Sequence, residues 1–503
     1  MDKRILFVVK NLYTMERLGV MQLSAMARAL GWETDLHIAD LHARDRYFEK
    51  LAAFRPVIVA FSVMTPEFHA LDALAERTHR LGRHFILFGG PHPTFFQDII
   101  ERPHIHALAF GEGDVSFPTF LDRFERGRDF TGTPGIHFHL AGKITRNPPA
   151  PLEEKLDRAP FADRELMVRG DPLLARNKTH IFMASRGCPN QCTYCFNHKF
   201  TQMFRGCGRI LRHRSVSHFL GEMAEVKARF GMAFAYIDDD IFTLLPMDWL
   251  GEFAQRYPKE VGVPFMCNVH VNFVNEEKIR CLKEAGCRTI CFGIECGDEQ
   301  VSNDLLKRRV DNRKIVDLAG TLRRHGIRSM TQNILALPVP HPMAIDLKTL
   351  DLNIRCRPDF AVAQLFFPLP GTDLAAYAAA NGFLPGGAPE LPERTNSYSA
   401  LTFPDRREKI RVQRLHKLFG LTTSFRFLRP LVPLLVRLPL GPVYSFFYVA
   451  WYGWSTRFRL EGTKKSGAEV RFFLKSLLRN IVAFVRRPPR RDRSRKSPSE
   501  PRP

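Results

Sequence analysis

The chain has 503 residues, 45% hydrophobic and 25% charged, with ten cysteines and a formal net charge of +22. This length supports about three domains of ordinary globular composition, and the chain opens without a signal peptide and scatters seven cysteines singly, which argues against a disulfide framework. The charge is lopsided: residues 401–503 carry 24 Lys or Arg against 6 Asp or Glu, so most of the excess belongs to a C-terminal module and describes what that module touches. Cys207, Cys267, Cys281, Cys287, Cys291, Cys296 and Cys356 read as buried small hydrophobes of a reducing, cytoplasmic setting.

From Arg4 to Gly127 short apolar runs alternate with amphipathic stretches, as in parallel-sheet units. Strands are expected at Ile5–Val9, Thr34–Ile38, Val57–Val63, Phe85–Phe88 and Ala107–Phe110, giving a doubly wound α/β domain of Rossmann-like form over residues 1–128. Ligands of such sheets bind beyond the carboxyl ends of the strands. The loops that matter are then Asn11–Gly19, Ser62–Thr65, Gly89–Thr94 and Gly111–Asp114. Gly89-Gly90-Pro91 and Gly111-Glu112-Gly113 let a backbone approach a flat ligand, although glycine-rich loops are common in this fold and alone leave the cofactor open.

Residues 129–176 read as a bridge: a hairpin of Gly135–His139 and Lys143-Ile144 about Gly142, then the stiffer run Asn147-Pro148-Pro149-Ala150-Pro151. Residues 177–385 alternate again, with strands expected at Ile181–Ala184, Phe234–Ile237, Pro264–Val269, Thr289–Phe292 and Asn333–Leu337, and a helix at Val216–Phe230. A partial (β/α) barrel of this kind carries its site at the strand C-terminal ends. Asp238-Asp239-Asp240, Asn268 with His270, and Glu295 fall at that edge; each alone suits an ordinary cap, core or solvated position as well as a ligand contact.

The same edge carries Ser185-Arg186-Gly187-Cys188-Pro189-Asn190-Gln191-Cys192-Thr193-Tyr194-Cys195-Phe196-Asn197. Three thiolates at this spacing suit three corners of a 4Fe–4S cube, leaving one iron open to a small-molecule chelator, whereas an electron-transfer cluster has all four irons capped. The competing reading is a zinc site, which needs a fourth ligand such as His198 or Cys207.

With its aromatic Tyr194 before the last cysteine, this loop resembles the radical S-adenosylmethionine (SAM) superfamily. Leu18-Gly19-Val20, Gly89-Gly90-Pro91-His92-Pro93-Thr94 and Gly111-Glu112-Gly113-Asp114 together resemble the cobalamin-binding domain that precedes many radical SAM cores. The resemblance implies three cofactors: a 4Fe–4S cluster on Cys188, Cys192 and Cys195, SAM near Tyr194, Asp238, Asp239, Asn268 and Glu295, and cobalamin. The cobalamin contacts would be Thr14, Met15, Leu18, Gly19, Ser62, Thr65, Gly89, Gly90, Pro91, His92, Gly111, Glu112 and Gly113. It departs from the base-off pattern, because the loop Asn11-Leu12-Tyr13-Thr14-Met15-Glu16 has no histidine, and Asp40-Leu41-His42 follows the second strand instead, with Asp40 read as a helix cap. Arg214 is a candidate partner for a carboxylate or cluster sulfur, or else a solvated side chain beside a Ser215 cap. Phe366–Leu374 resembles the end of a cobalamin-type core, while Ala336-Leu337-Pro338-Val339-Pro340 replaces a glycine-proline-glycine loop with bulkier residues.

Residues 386–485 read as a helical, aromatic and basic module, and 486–503 as a disordered basic tail. Leu438–Thr456 is uncharged but interrupted by Pro439, Gly441, Pro442 and Gly453, which favours a surface-seated segment over a spanning one. Arg471, Lys475, Arg479, Arg486 and Arg487 among Phe472, Phe473, Leu477, Leu478, Ile481 and Phe484 suit an anionic membrane surface at the inner face. Alternatively, the aromatics form a small core that covers the barrel mouth. Nucleic acid is disfavoured, as no RNA-binding motif accompanies the basic tail.

The expected activity, on resemblance, is methylation of an unactivated carbon: SAM cleavage gives a deoxyadenosyl radical, the radical takes a substrate hydrogen, and methylcobalamin supplies methyl. An apolar substrate such as a hopanoid, another lipid or a tetrapyrrole fits the C-terminal module, with an external electron donor as partner. The alternatives are a non-methylating radical cyclisation, ring contraction or oxidation, and a cobalamin-binding regulator of nucleic acid, which leaves the three cysteines unexplained.

Overall fold

A computed structural model describes residues 2–11, 16–40, 44–384, 398–460 and 467. The basic amphipathic stretch and the tail lie outside the described residues, as do Thr14, Met15 and His42. In the first domain β1 (Arg4–Val9), β2 (Glu33–Ile38), β3 (Ile58–Ser62), β4 (Phe85–Gly89) and β5 (Ala107–Ala109) form a parallel sheet ordered β2-β1-β3-β4-β5. Helices cover both faces, which is why runs such as Ile5–Val9 are apolar throughout and buried. The hairpin expected next, β6 (Ile136–Leu140) and β7 (Lys143–Thr145), joins this sheet antiparallel to β5. Its Ile136 and Phe138 pack with Phe117 and Phe120 in the first core.

The second domain contains β8 (Thr179–Phe182), β9 (Ser185–Arg186), β10 (Arg212–His213), β11 (Phe234–Ile237), β12 (Phe265–Val269), β13 (Cys287–Glu295), β14 (Arg328–Leu335) and β15 (Phe360–Leu365). A curled, wholly parallel half-barrel is ordered β15-β14-β13-β12-β11-β8, while β9 and β10 pair separately. The helix Val216–Phe230 runs where expected, because Ser215 caps its start and Gly231 adopts a left-handed φ of +66° at its end. β14 begins earlier than expected and stops at Leu335, where Ala336 turns to a φ of +58°. β15 has little sequence signal, since Phe360-Ala361-Val362-Ala363-Gln364-Leu365 contains a single β-branched residue. It exists through its neighbours: β14 pairs one edge, and the helix Arg406–Ser424 covers it, His416 Nε2 meeting the Ala363 carbonyl oxygen at 3.0 Å.

The aromatic run forms a helix over Gly441–Trp454. Trp451 packs against Phe360 and over Gly420, where an added Cβ would lie 2.4 Å from its Nε1. Thr289 donates to the Leu460 carbonyl at 3.0 Å, and Arg459 donates to the Asp359 carbonyl at 3.0 Å. These contacts lie at the N-terminal starts of β13, β14 and β15, so this part of the aromatic segment closes the end of the half-barrel opposite its mouth. Tyr444, earlier in the same helix, packs instead with Leu365 and Phe366 at the other end of β15. Among the described residues no helix is long and apolar enough to cross a membrane.

A buried charge cluster joins the domains at the free edge of β8. Glu16 accepts from the Ile181 amide at 2.9 Å and faces His180 at 2.8 Å, while Arg164 donates to the Ile181 carbonyl at 2.6 Å. The unpaired edge of the strand is thereby satisfied by side chains. Arg164 pairs with both Glu16 and Glu222, and Glu222 takes a second arginine, Arg214, at 2.5 Å. Burial alone would raise the Glu16 and Glu222 carboxyls, but Arg164 and Arg214 outweigh it and hold both below the ordinary value. Arg164→Ala would leave buried Glu16 without its arginine and Glu222 with Arg214 alone, and should cost about 3–5 kcal/mol, read as a lower denaturation midpoint. Stability from carboxylates with depressed folded pKa values is present above their unfolded pKa and lost as pH falls through the folded values. The variant's melts should therefore lose part of the acid-side decline seen in the unsubstituted chain.

Candidate active site between two strand edges

The cysteine loop is built from its base upward. Asp239, fully buried after β11, accepts from the Ala184 amide at 2.7 Å and from the Ser185 hydroxyl, bracing the step from β8 to β9. Burial pushes its pKa up to about 7. Gly187, with φ +94°, lets the chain pass Ile210, whose carbonyl oxygen would lie 2.2 Å from an added Cβ. The three thiols that follow act on one another electrostatically, and burial pushes Cys188 up to about 11 and Cys195 up to about 12. Burial also raises Cys192, against the pull of the nearby Arg308.

Thiols this desolvated stay protonated unless cationic iron stabilises their thiolates. Among the described residues no three His, Cys, Asp or Glu side chains converge as the ligands of one ion would. A cubane asks less, because each thiolate meets a different iron. The zinc reading also lacks its fourth ligand: His198 faces Asp373 at 3.4 Å and Gln202 at 2.9 Å, and Cys207 packs in the core under β3 and β4. The residues present fit a three-cysteine cluster.

Around this loop the half-barrel supplies polar groups. Asn268 donates to Asp238 at 3.3 Å and to the Asp239 carbonyl at 3.1 Å, and Tyr236 donates to Asn268 at 3.3 Å. Glu295 is buried at φ +61°, with its carboxyl folded back over Gly293, where a Cβ would lie 2.2 Å from Oε1. Burial pushes it up, while Arg308, 3.8 Å away, pulls it down. Arg308 donates to the Tyr194 hydroxyl at 3.0 Å and the Gly293 carbonyl at 2.5 Å, and its buried Nε has no partner in the structure. His270 is buried with Nδ1 accepting from the Asn272 amide and Nε2 unpartnered. Unfilled donors beside carboxylates are what a zwitterion such as SAM can use. Sequence reasoning missed Arg308, since Lys307-Arg308-Arg309 reads as a solvated charge run. Arg214, weighed as a partner for a carboxylate or a cluster sulfur or else as a solvated side chain, takes a carboxylate, that of Glu222.

The first domain presents its own strand ends. Gly90 sits at φ +99°, with the Val63 backbone 3.1 Å from an added Cβ, so the loop after β4 lies tight against that after β3. Ser62 and Thr65 lie on the latter loop, and Thr65 Oγ1 meets His92 Nδ1 at 3.4 Å. His92 is held between Phe68 and Phe96, where burial pushes it down to about 4 and leaves Nε2 unpartnered. Asn11, at the end of β1, is buried with Oδ1 unpartnered, and Leu18 and Gly19 open the first helix beside it. These orphaned atoms and the glycine-lined approach fit a large polar-edged ligand. Gly89 and Pro91 share that edge, whereas Gly111 and Glu112 face the second domain, Phe204 lying over Gly111 and Glu112 binding Arg186 and Arg212; Gly113 packs under Leu23 of the first domain's own first helix.

Two α/β domains thus turn the C-terminal edges of their strands towards each other, with a three-cysteine loop on one edge. Phe95, after β4, meets Phe196, next to Cys195, at a ring separation of 6.3 Å. This arrangement defines a class of enzymes with two facing cofactor-binding domains. Residues 5–121 match the B12 binding domain, and residues 183–342 match the radical SAM superfamily. The chain is a radical SAM enzyme with a B12-binding domain, and its cofactors are a 4Fe–4S cluster, SAM and cobalamin.

Among curated relatives, an uncharacterized methyltransferase, PH0819, of Pyrococcus horikoshii is 26% identical over 73% of this chain and 79% of its own. An anaerobic magnesium-protoporphyrin IX monomethyl ester cyclase of Rubrivivax gelatinosus is 24% identical over 66% of this chain and 60% of its own. The solved structure of OxsB, a cobalamin-dependent SAM radical enzyme, shares the fold with a TM-score of 0.67 and 14% identity, covering 96% of this chain and 80% of that one.

Asp239→Ala should leave the buried Ala184 amide without its acceptor, costing about 1–3 kcal/mol in a denaturation midpoint. Because that amide precedes the cysteine loop, iron retained per chain after reconstitution should fall with it.

Proposed function

We propose that this enzyme methylates an unactivated carbon of an apolar substrate, with Cys188, Cys192 and Cys195 holding the cluster. The observation that carries the reading is the apposition of the cysteine loop to the ends of β4 and β5, so that a cluster held on that loop would face the cobalamin domain. When bound, the cluster and SAM supply a hydrogen-abstracting radical and cobalamin supplies the methyl group. The protein's share is alignment and exclusion of water. Asp239 fixes the start of the cysteine loop; Arg308 stands beside Cys192 with Tyr194 and can meet a carboxylate, and Asp238, Asn268 and Glu295 line the same edge for an ammonium and hydroxyls. PH0819 is named as a methyltransferase, which supports transfer over cyclisation.

Two features support an apolar partner. The cyclase relative takes its name from a protoporphyrin ester. The C-terminal module also exposes Phe427 (73%), Phe446 (69%) and Leu434 (58%), together with Phe447 and Trp454, in a segment bearing Arg426 and Arg437. Apolar side chains among basic ones suit an anionic lipid surface.

With SAM, reductant and an apolar extract, the anaerobic enzyme should form S-adenosylhomocysteine beside deoxyadenosine. Deoxyadenosine alone would favour the cyclisation or oxidation readings. Cys192→Ala should abolish SAM cleavage and iron retention while cobalamin absorbance is kept. The full chain should sediment with anionic but not neutral vesicles, and the Phe427→Ala/Phe446→Ala pair should lower the bound fraction about tenfold, given the area removed.

A further inference from the structure

The loop Gly111–Asp114 contacts both flanks of the cysteine loop. On the upstream side, β9 and β10 pair antiparallel with Arg186 directly opposite Arg212. Two guanidiniums facing each other across a ladder repel, and Arg212 is buried. The first domain supplies the compensation. Glu112 takes Arg212 at 2.6 and 2.9 Å and Arg186 at 3.0 Å, and Asp114 takes Arg186 in a forked pair at 2.7 and 3.1 Å. Downstream, the helix Phe196–Met203 leads to Phe204, which is 1% exposed and packs in the first domain's core with Phe61, Phe88 and Phe110. Its ring occupies the space over Gly111, where an added Cβ would lie 2.1 Å from Cζ.

We infer that Gly111–Asp114 is a latch that sets the cluster loop: Glu112 and Asp114 neutralise the facing arginines and close the base of the loop, while Gly111 admits Phe204 to close its far end. The inference rests on the three cysteines holding the cluster. It makes Glu112 and Asp114 positioning residues for the cluster rather than contacts of cobalamin, and it couples docking of the first domain to order in the cysteine loop. Both arginines are spent on these carboxylates, and without them the β9–β10 pair would confine two uncompensated like charges.

Glu112→Gln, Arg186→Gln and the double variant test this in the full chain, reconstituted anaerobically. Glu112→Gln should bind cobalamin within about twofold of the unsubstituted protein by absorbance titration, yet lose iron about tenfold faster to a chelator, as loss of a group supporting a metal ligand does. The electron paramagnetic resonance line shape of its reduced cluster should change. Arg186→Gln should reproduce both effects, and the double variant should lose less than the sum of the two single losses, since both remove the Glu112–Arg186 contact, while Glu112→Gln also releases Arg212 and Arg186→Gln also releases Asp114. The latch is overturned if iron retention and line shape are unchanged in Glu112→Gln, if the two losses add, or if Glu112→Gln weakens cobalamin about tenfold while Arg186→Gln does not. Asp114→Asn, which spares the Glu112–Arg212 pair, serves if Glu112→Gln does not fold. Full iron retention in Cys192→Ala would instead remove the cluster assignment itself, a result separate from these.

Discussion

The structure depends on buried arginine–carboxylate contacts between two sheets that would otherwise be independent. Arg164 between Glu16 and Glu222, and Arg186 with Arg212 on Glu112 and Asp114, are charges withdrawn from water that are tolerable only in company. Hydrophobic contact alone would let two domains slide, because apolar surface is indifferent to register. A forked guanidinium–carboxylate pair is directional, and two such sets fix how one strand edge faces the other. The relative placement of the strand ends, on which any reaction between two cofactors must depend, is therefore set by electrostatics.

The cysteine loop shows how the same logic reaches the site. None of its three thiols is positioned by a regular element; the loop leaves a two-residue strand and enters a helix of eight residues. Its order comes from Asp239 below, from the Arg186–Arg212 ladder beside it and from Phe204 beyond it. The nearby carboxylate Glu295 is likewise held by its surroundings, through a left-handed backbone, a missing side chain at Gly293 and the Arg308 guanidinium. Strained backbone of this kind persists where the surrounding packing over-determines it, and such positions gather at functional sites. Of the C-terminal aromatics, Trp451 packs with the 459–460 segment at the starts of the strands, while Tyr444 joins the core beside the end of β15.

Both parallel sheets were legible in the sequence because strands covered on two faces need continuous apolar runs, and Ile5–Val9, Phe234–Ile237 and Phe265–Cys267 have them. The Cys188–Cys195 spacing and the glycine loops were legible because their chemistry is local: thiolates must sit close together, and tight turns need glycine. Strand β15 escaped notice, since its stability comes from β14 and the Arg406–Ser424 helix rather than from its own residues. Arg308, Glu222 and Arg164 escaped for a related reason. A charged residue reads as solvated until the fold buries it against a partner distant in sequence.

The sequence by itself thus determined two α/β domains and the cysteine and glycine loops at their strand ends, short-range patterns whose resemblance pointed to a cluster and to cobalamin. Only the tertiary structure decided that Glu112 spends its charge on Arg186 and Arg212, that Asp239 braces the loop from below, and that Trp451 sits at the closed end. Those outcomes rest on pairings between residues tens to hundreds of positions apart. Periodicity and spacing carry no information about such pairings, because the energy that selects them is that of burying a charge beside its partner.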